Sequence, residues 1–205
     1  MGFNSSYCRV LKPAFDRVLS FIIVLCFSWV YLIIAIAIKI DDPAGPVLFK
    51  QDRLGKNGKI YKMYKFRSMR VGAEHIGTGV YSDNNDARVT KVGRFLRKTS
   101  LDELPQLFNV LRGEMCLIGF RSPLTYHPWP WEEYTDEQRK MFRVKPGITG
   151  WAQVNGRKTV EWHRRIELNV WYSENVSLAL DLKILFMTIF KVLKNSDNEN
   201  MGATV

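Results

Sequence analysis

The chain has 205 residues, 30 of them basic and 20 acidic, for a formal net charge of +10. That length is enough for one domain with a real core. Three scattered cysteines (Cys8, Cys26, Cys116) exclude a disulfide framework and read as reduced residues of a cytosolic compartment. His75, His127 and His163 have no metal-ligand spacing with each other or with the cysteines, which argues against zinc. There is no Walker loop, and the lone Gly77-Thr-Gly79 is too little for a dinucleotide site.

Residues 1–17 form a short basic and polar lead. From 18 to 38 run 21 residues without a charge, enough to cross a bilayer's hydrocarbon once as a helix. Ala35-Ile-Ala37 superficially resembles a signal cleavage site, but the run is too long for a signal h-region and its flank is strongly basic. The cluster Asp41-Asp-Pro-Ala-Gly-Pro46 must end any helix. Segments 47–54 and 59–69 flank Gly55-Lys-Asn-Gly58, whose Asn-Gly pair predicts a β-hairpin. Eight positive side chains fall between Lys50 and Arg70 against Asp52 alone, which suits anionic headgroups beside a hydrophobic segment. A polar loop follows over 72–86, then a short basic helix near 92–98 and an amphipathic helix over 102–112 with Leu104, Leu107, Phe108 and Leu111 at helical spacing. Tyr126, Trp129, Trp131 and Tyr134 among prolines fit a membrane interface or a buried corner, with core packing expected for at least two. Segment 145–157 reads as turn, strand and turn, its glycines letting backbone approach closely, and 176–194 as a helix with a wide apolar face.

The sharpest local signal is the adjacent pair Asp102-Glu103, just behind the basic run Arg94, Arg97, Lys98. Ser100-Leu-Asp-Glu103 fits a capping box, in which the acids only satisfy a helix start. Pro105 sits better with Asp102 itself as N-cap, because a proline past the first turn removes a helical hydrogen bond. Either arrangement puts the Asp102 carboxylate at a helix N-terminus, kept ionised by the dipole and available as a nucleophile or magnesium ligand.

Tyr64-Lys-Phe-Arg-Ser-Met69, Leu101-Asp-Glu-Leu-Pro-Gln-Leu107, Gly113-Glu-Met-Cys-Leu-Ile-Gly119, 145–157 and Asp181-Leu-Lys-Ile184 together make a highly specific set. With them the chain resembles the bacterial sugar transferase family, specifically the small monotopic phosphoglycosyl transferases, over about 15–194. The resemblance implies transfer of a phosphosugar from a UDP-sugar to polyprenyl phosphate, giving a polyprenyl-diphosphate sugar and UMP, with Mg²⁺ as cofactor. It implies Asp102 as the nucleophile and a metal ligand, with Glu103 supporting metal or proton transfer. Lys65, Arg97 and Arg157 match family positions that line the site, and Arg121 is a further phosphate-binding candidate. Basic runs are usually solvated, so Lys65 and Arg97 also admit a bland reading, whereas Arg157 follows Asn155-Gly156, a tight turn that aims it.

The expected architecture is α/β, a small membrane-docked domain with a β-hairpin or small sheet, one N-terminal hydrophobic, re-entrant helix and interfacial amphipathic helices. Residues 1–40 are read as the membrane anchor and 41–205 as a cytoplasmic catalytic domain at the bacterial inner membrane. The family's Ser-Pro is here Ser28-Trp29, so a re-entrant bend must depend on Ser28 bonding back to a preceding carbonyl and on packing. Arg9, Lys12 and Arg17 before the run and Lys39 and Lys50 after it favour both ends on the cytoplasmic side. Gly119-Phe-Arg-Ser-Pro123 replaces the family's Gly-Pro-Arg-Pro. Two rival readings are a non-catalytic adapter that binds anionic lipid and a membrane-tethered nucleic-acid binder using 50–70. No nucleic-acid signature accompanies those basic residues, so the expected partners are a UDP-sugar, polyprenyl phosphate and membrane lipids, without nucleic acid.

Overall fold

The computed structural model describes residues 6–73, 86–156 and 161–194. After a π-helical turn at Tyr7–Leu11, the uncharged run forms two helices, α1 (Lys12–Cys26) and α2 (Ser28–Asp41), bent by 63° at Phe27. No single described helix is long and apolar enough to cross a membrane, although the bent pair meets the test of length and composition together. The run is thus bent, as the re-entrant expectation requires, and of the two expected causes packing is seen while the Ser28 bond is corrected. Among the described residues Ser28 makes no hydrogen bond to a preceding carbonyl. Phe27 leaves helical geometry (φ −105°, ψ 16°), and α2 is drawn aside by packing. Its Ile34 and Ile38 are buried with Phe66 and Leu96, and the Tyr31 hydroxyl donates to the Leu104 carbonyl at 2.8 Å.

The hairpin is present as antiparallel β1 (Leu48–Leu54) and β2 (Ile60–Phe66). Asn57 (φ 54°) and Gly58 (φ 74°) turn the chain, and a Cβ on Gly58 would fall 2.7 Å from the Trp131 ring. Phe49 pairs with Lys65, Gln51 with Met63 and Arg53 with Tyr61, so these six side chains share one face, on which Tyr61 and Met63 are buried. α3 (Lys91–Thr99) starts on a Thr90 cap and on the Asp41 carboxylate, which accepts from Val92 N at 2.8 Å.

The helix expected over 102–112 is divided. A 3₁₀ turn spans Leu101–Glu103 and α4 begins only at Gln106 (Gln106–Leu111), because Pro105 cannot donate into a continuous helix. Fully buried Asn109 fixes α4 to the open edge of β2. It accepts from Tyr64 N at 3.0 Å and donates to Lys62 O at 2.8 Å and to Glu114 at 2.7 Å, as a third strand would.

A second, parallel pair joins β3 (Cys116–Ile118) to β4 (Gly147–Thr149). A Cβ on Gly150 would lie 1.8 Å from the Gly119 carbonyl oxygen, so the predicted close approach of backbone in 145–157 is real. After that strand comes a short helix, α6 (Trp151–Val154), in place of further extended chain, and the expected turn follows it at Asn155-Gly156; α5 (Asp136–Arg139) lies earlier in the chain. α7 (Trp162–Glu174), which hydropathy patterning did not reveal, and α8 (Leu178–Lys194) complete the fold. Phe120 of the altered Gly119-Phe-Arg-Ser-Pro123 segment is wholly buried against Phe142, while Ser122 and Pro123 hydrogen-bond to Leu54. Tyr134 is buried with Trp129 and Trp131 packed on it, a corner as expected, and Tyr126 is exposed.

α1 is tied to the last helix by a buried polar network. Lys12 Nζ and the Tyr7 hydroxyl both donate to Asp181 Oδ2 at 2.7 Å, and the Tyr172 hydroxyl donates to Oδ1 at 2.7 Å. The fold is thus a small mixed α/β domain with two two-stranded sheets among its described residues.

Candidate active site

Ser100 adopts a left-handed conformation (φ 59°, ψ 15°) that ends α3 and turns the chain into the 3₁₀ segment. It caps nothing with its side chain, so neither the capping box nor Asp102 as an N-cap is realised. The Glu103 carboxylate reaches across instead to Lys65 of β2, with Oε1 to Nζ at 2.9 Å. Lys65 Nζ is 3.9 Å from Asp102 Oδ2, so one ammonium faces both acids. Because Asn109 holds α4 against β2, this juxtaposition is set by the backbone.

Asp102 is 8% exposed. Burial raises its pKa, Lys65 and Arg97 oppose that rise, and the neighbouring Glu103 adds to it. The dipole expected to keep it ionised is thus not the ruling influence. A desolvated carboxylate steadied by two cations is a stronger nucleophile than a hydrated one.

A second basic group lies along the same hairpin face. Arg53 donates to Gln51 Oε1 at 2.7 Å and to the Ser122 carbonyl at 2.9 Å, which sets its guanidinium beside the segment carrying Arg121. Burial and the Arg121 charge push Arg53 down to about 10, with Glu103 acting in the opposite sense. Arg165 of α7 is likewise lowered to about 10 by burial and Arg121. Its guanidinium sits 4.4 Å from the Trp162 ring, which meets His127 edge-on at 5.2 Å.

Asp102, Glu103, Lys65 and Arg97 therefore come together. Arg121 joins Arg53 and Arg165 and forms no salt bridge to either acid. Arg157 lies outside the described residues, as do His75, Gly77 and Gly79. Arg53 and Arg165 were not foreseen. Arg53 shares the alternation of Lys65 across the hairpin and was legible there, whereas Arg165 lies on a helix that patterning missed. A groove lined by Gln138, His163, Ile166, Val170 and Trp171 contains none of the predicted residues.

The donor set suits magnesium of one kind. Among the described residues no three His, Cys, Asp or Glu side chains converge as a metal cage. Mg²⁺ ordinarily takes one or two carboxylates and completes its sphere with substrate phosphates and water, which the Asp102-Glu103 pair fits.

The family model for bacterial sugar transferases matches residues 7–195. The sugar transferase EpsL of Bacillus subtilis (strain 168) is 45% identical over 184 residues, which are 90% of this chain and 88% of that protein. The UDP-glucose:undecaprenyl-phosphate glucose-1-phosphate transferase of Escherichia coli (strain K12) is 45% identical over 192 residues, 91% of this chain. The undecaprenyl-phosphate galactose phosphotransferase of Salmonella typhimurium is 38% identical over 200 residues, again 91% of this chain. The chain spans 41% of the length of each of these last two enzymes. With its motifs, its carboxylate pair and a match over nearly its whole length, the chain belongs to the bacterial sugar transferase family.

Proposed function

We propose that the protein transfers a phosphosugar from a UDP-sugar to polyprenyl phosphate, releasing UMP, and so begins assembly of a bacterial glycoconjugate. The observation that carries this reading is the buried Asp102 beside Glu103, with Lys65 and Arg97 as its cations, in a chain whose relatives bear undecaprenyl-phosphate sugar phosphotransferase names. An oxygen of Asp102 bonds to the sugar-bearing phosphorus as its bond to the bridging oxygen breaks, and the electron pair leaves on UMP. An oxygen of polyprenyl phosphate then attacks the same phosphorus and frees the carboxylate. Lys65 and Arg97 hold positive charge against the phosphates throughout. Mg²⁺ would be held by Asp102, with Glu103 in support, and by the phosphates, where it supplies further charge stabilisation.

The same reading docks the protein on the cytoplasmic face of the bacterial inner membrane. Phe21, Leu25, Trp29 and Ile33 of the bent pair and Phe186 and Phe190 of α8 are large apolar side chains left exposed, as a lipid-facing surface requires. Such docking brings the tail of the acceptor into lipid while the donor arrives from water. A membrane-impermeant thiol label on an engineered N-terminal cysteine tests it: no labelling in intact cells is expected, and labelling would sink the re-entrant form.

The deciding measurement is UMP release from a panel of UDP-sugars in nanodiscs with Mg²⁺ and polyprenyl phosphate. Release is expected from the native chain and is expected to fall at least about a thousandfold in Asp102→Asn, which keeps shape but not the nucleophile. Equal release by the variant would show that another residue attacks.

A further inference from the structure

The inward face of the hairpin carries basic chemistry at both of its ends. At one end Lys65 faces the two carboxylates, and at the other Arg53 stands opposite Tyr61. Arg53 is four positions along β1 from Phe49, the partner of Lys65, a separation of ~13 Å at the usual strand rise. A lone phosphate does not span that length, but a nucleoside diphosphate does.

Three elements bring guanidinium groups to the far end. Arg53 comes from β1, Arg121 from the segment after β3 and Arg165 from α7, whose next residue, Ile166, packs in one core with Leu54 and Phe120. The first two are fixed side by side, since Ser122 Oγ donates to Leu54 O at 2.7 Å, Leu54 N to Pro123 O at 3.1 Å and Arg53 to Ser122 O at 2.9 Å. Like charges assembled in a partly buried place repel, and an anion among them offsets that cost. The groups that Arg53 bonds, an amide and a carbonyl, orient it without neutralising it, and Arg121 forms no salt bridge among the described residues. Tyr61 and Glu103 are among the groups whose charge is felt at Arg53, so the cluster and the carboxylate pair share one electrostatic field. At its edge Trp162, in contact with Arg165 and His127, offers a flat aromatic wall. Planar guanidiniums recognise phosphate through paired hydrogen bonds, and an aromatic wall receives a ring.

We propose that Arg53, Arg121 and Arg165, walled by Trp162 and His127, form the seat of the nucleoside monophosphate half of the donor. The inference rests on the reading of the protein as a transferase that uses a nucleoside diphosphate sugar. When the bond between the sugar-bearing phosphorus and the bridging oxygen breaks, the electron pair passes to the departing nucleotide's phosphate. The cluster meets that new charge without a proton, and so acts on the step whose other end is Asp102.

The test compares the whole chain with Arg165→Gln and Arg121→Gln, changes on separate elements, in nanodiscs. UMP binding is read by calorimetry, and KM is read for the UDP-sugar and for polyprenyl phosphate. Each variant is expected to raise the Kd of UMP and the KM of the UDP-sugar by about tenfold or more, the usual worth of a charged hydrogen bond. The KM of polyprenyl phosphate stays unchanged, and Arg165→Lys restores part of the loss. Unchanged UMP affinity and donor KM in an active enzyme would overturn the seat and leave the function standing. A rise confined to the KM of polyprenyl phosphate would reassign the cluster to the acceptor and also overturn it. Arginine-dependent UMP binding by a native chain that transfers no sugar would uphold the seat and remove the proposed function.

Discussion

As the proposed nucleophile, Asp102 carries two opposed requirements, since it must be ionised and yet not so well solvated that its lone pair is spent on water. Burial to 8% exposure meets the second, and the charges of Lys65 and Arg97 work toward the first against the upward pull of burial and Glu103. Lys65 is the more open to test, because it stands within 4 Å of both acids. Lys65→Met keeps the length and apolar stem of the side chain while removing its charge. Transfer is expected to fall about a hundredfold, the scale of losing one electrostatic stabiliser, with the unfolding temperature little changed. Turnover and a melting curve on the same preparation check this, and an equal loss of fold would mark the lysine as structural. The residues of this pair were legible in the sequence because they are contiguous or lie in a short motif. Their setting was not. Ser100 at positive φ redirects a chain whose pattern fits a capping box, and nothing in four letters distinguishes a serine that caps from one that turns.

At the scale of the elements, α4 matters through a single side chain. Asn109 answers a backbone donor and a backbone acceptor on the edge of β2, so its loss leaves two part-buried groups without these partners. Asn109→Ala is expected to destabilise the protein by about 3 kcal/mol, measured by denaturant unfolding in detergent. It should also reduce transfer, since Lys65 and Glu103 would no longer be held in register. A change below about 0.5 kcal/mol would show that water replaces the amide. The hairpin and α3 could be read from turn chemistry and local periodicity. α7 could not, because buried Ile166, Asn169 and Val170 share its helix with the charged and exposed residues of 163–168, and its inner face is partly polar. The two-residue parallel pairing of β3 with β4 is set by tertiary contact between distant glycines, which no local pattern encodes.

For the whole molecule, the important feature is that the first helices are not an appendage. Ile34 and Ile38 of α2 pack with Phe66 and Leu96, and Lys12 of α1 is buried against Asp181 of α8. Removing Asp181 leaves the buried Lys12 facing the more distant Asp16 at 3.8 Å and two tyrosine hydroxyls without their acceptor, so Asp181→Ala is expected to cost about 3 kcal/mol. Thermal unfolding in nanodiscs measures it, and the double change Lys12→Met with Asp181→Leu is expected to recover part of the loss, since buried Asp16 then lacks its lysine. Failure of the pair to recover anything would mean that Tyr7 and Tyr172, not the lysine, are what Asp181 serves. The two members of the pair are 169 positions apart. A ribosome releases Lys12 long before it has made Asp181, so the lysine must spend most of synthesis in contact with water or headgroups. Closure of the fold around it is therefore an event of the finished chain, late in time and slow in the way that long-range contacts are slow.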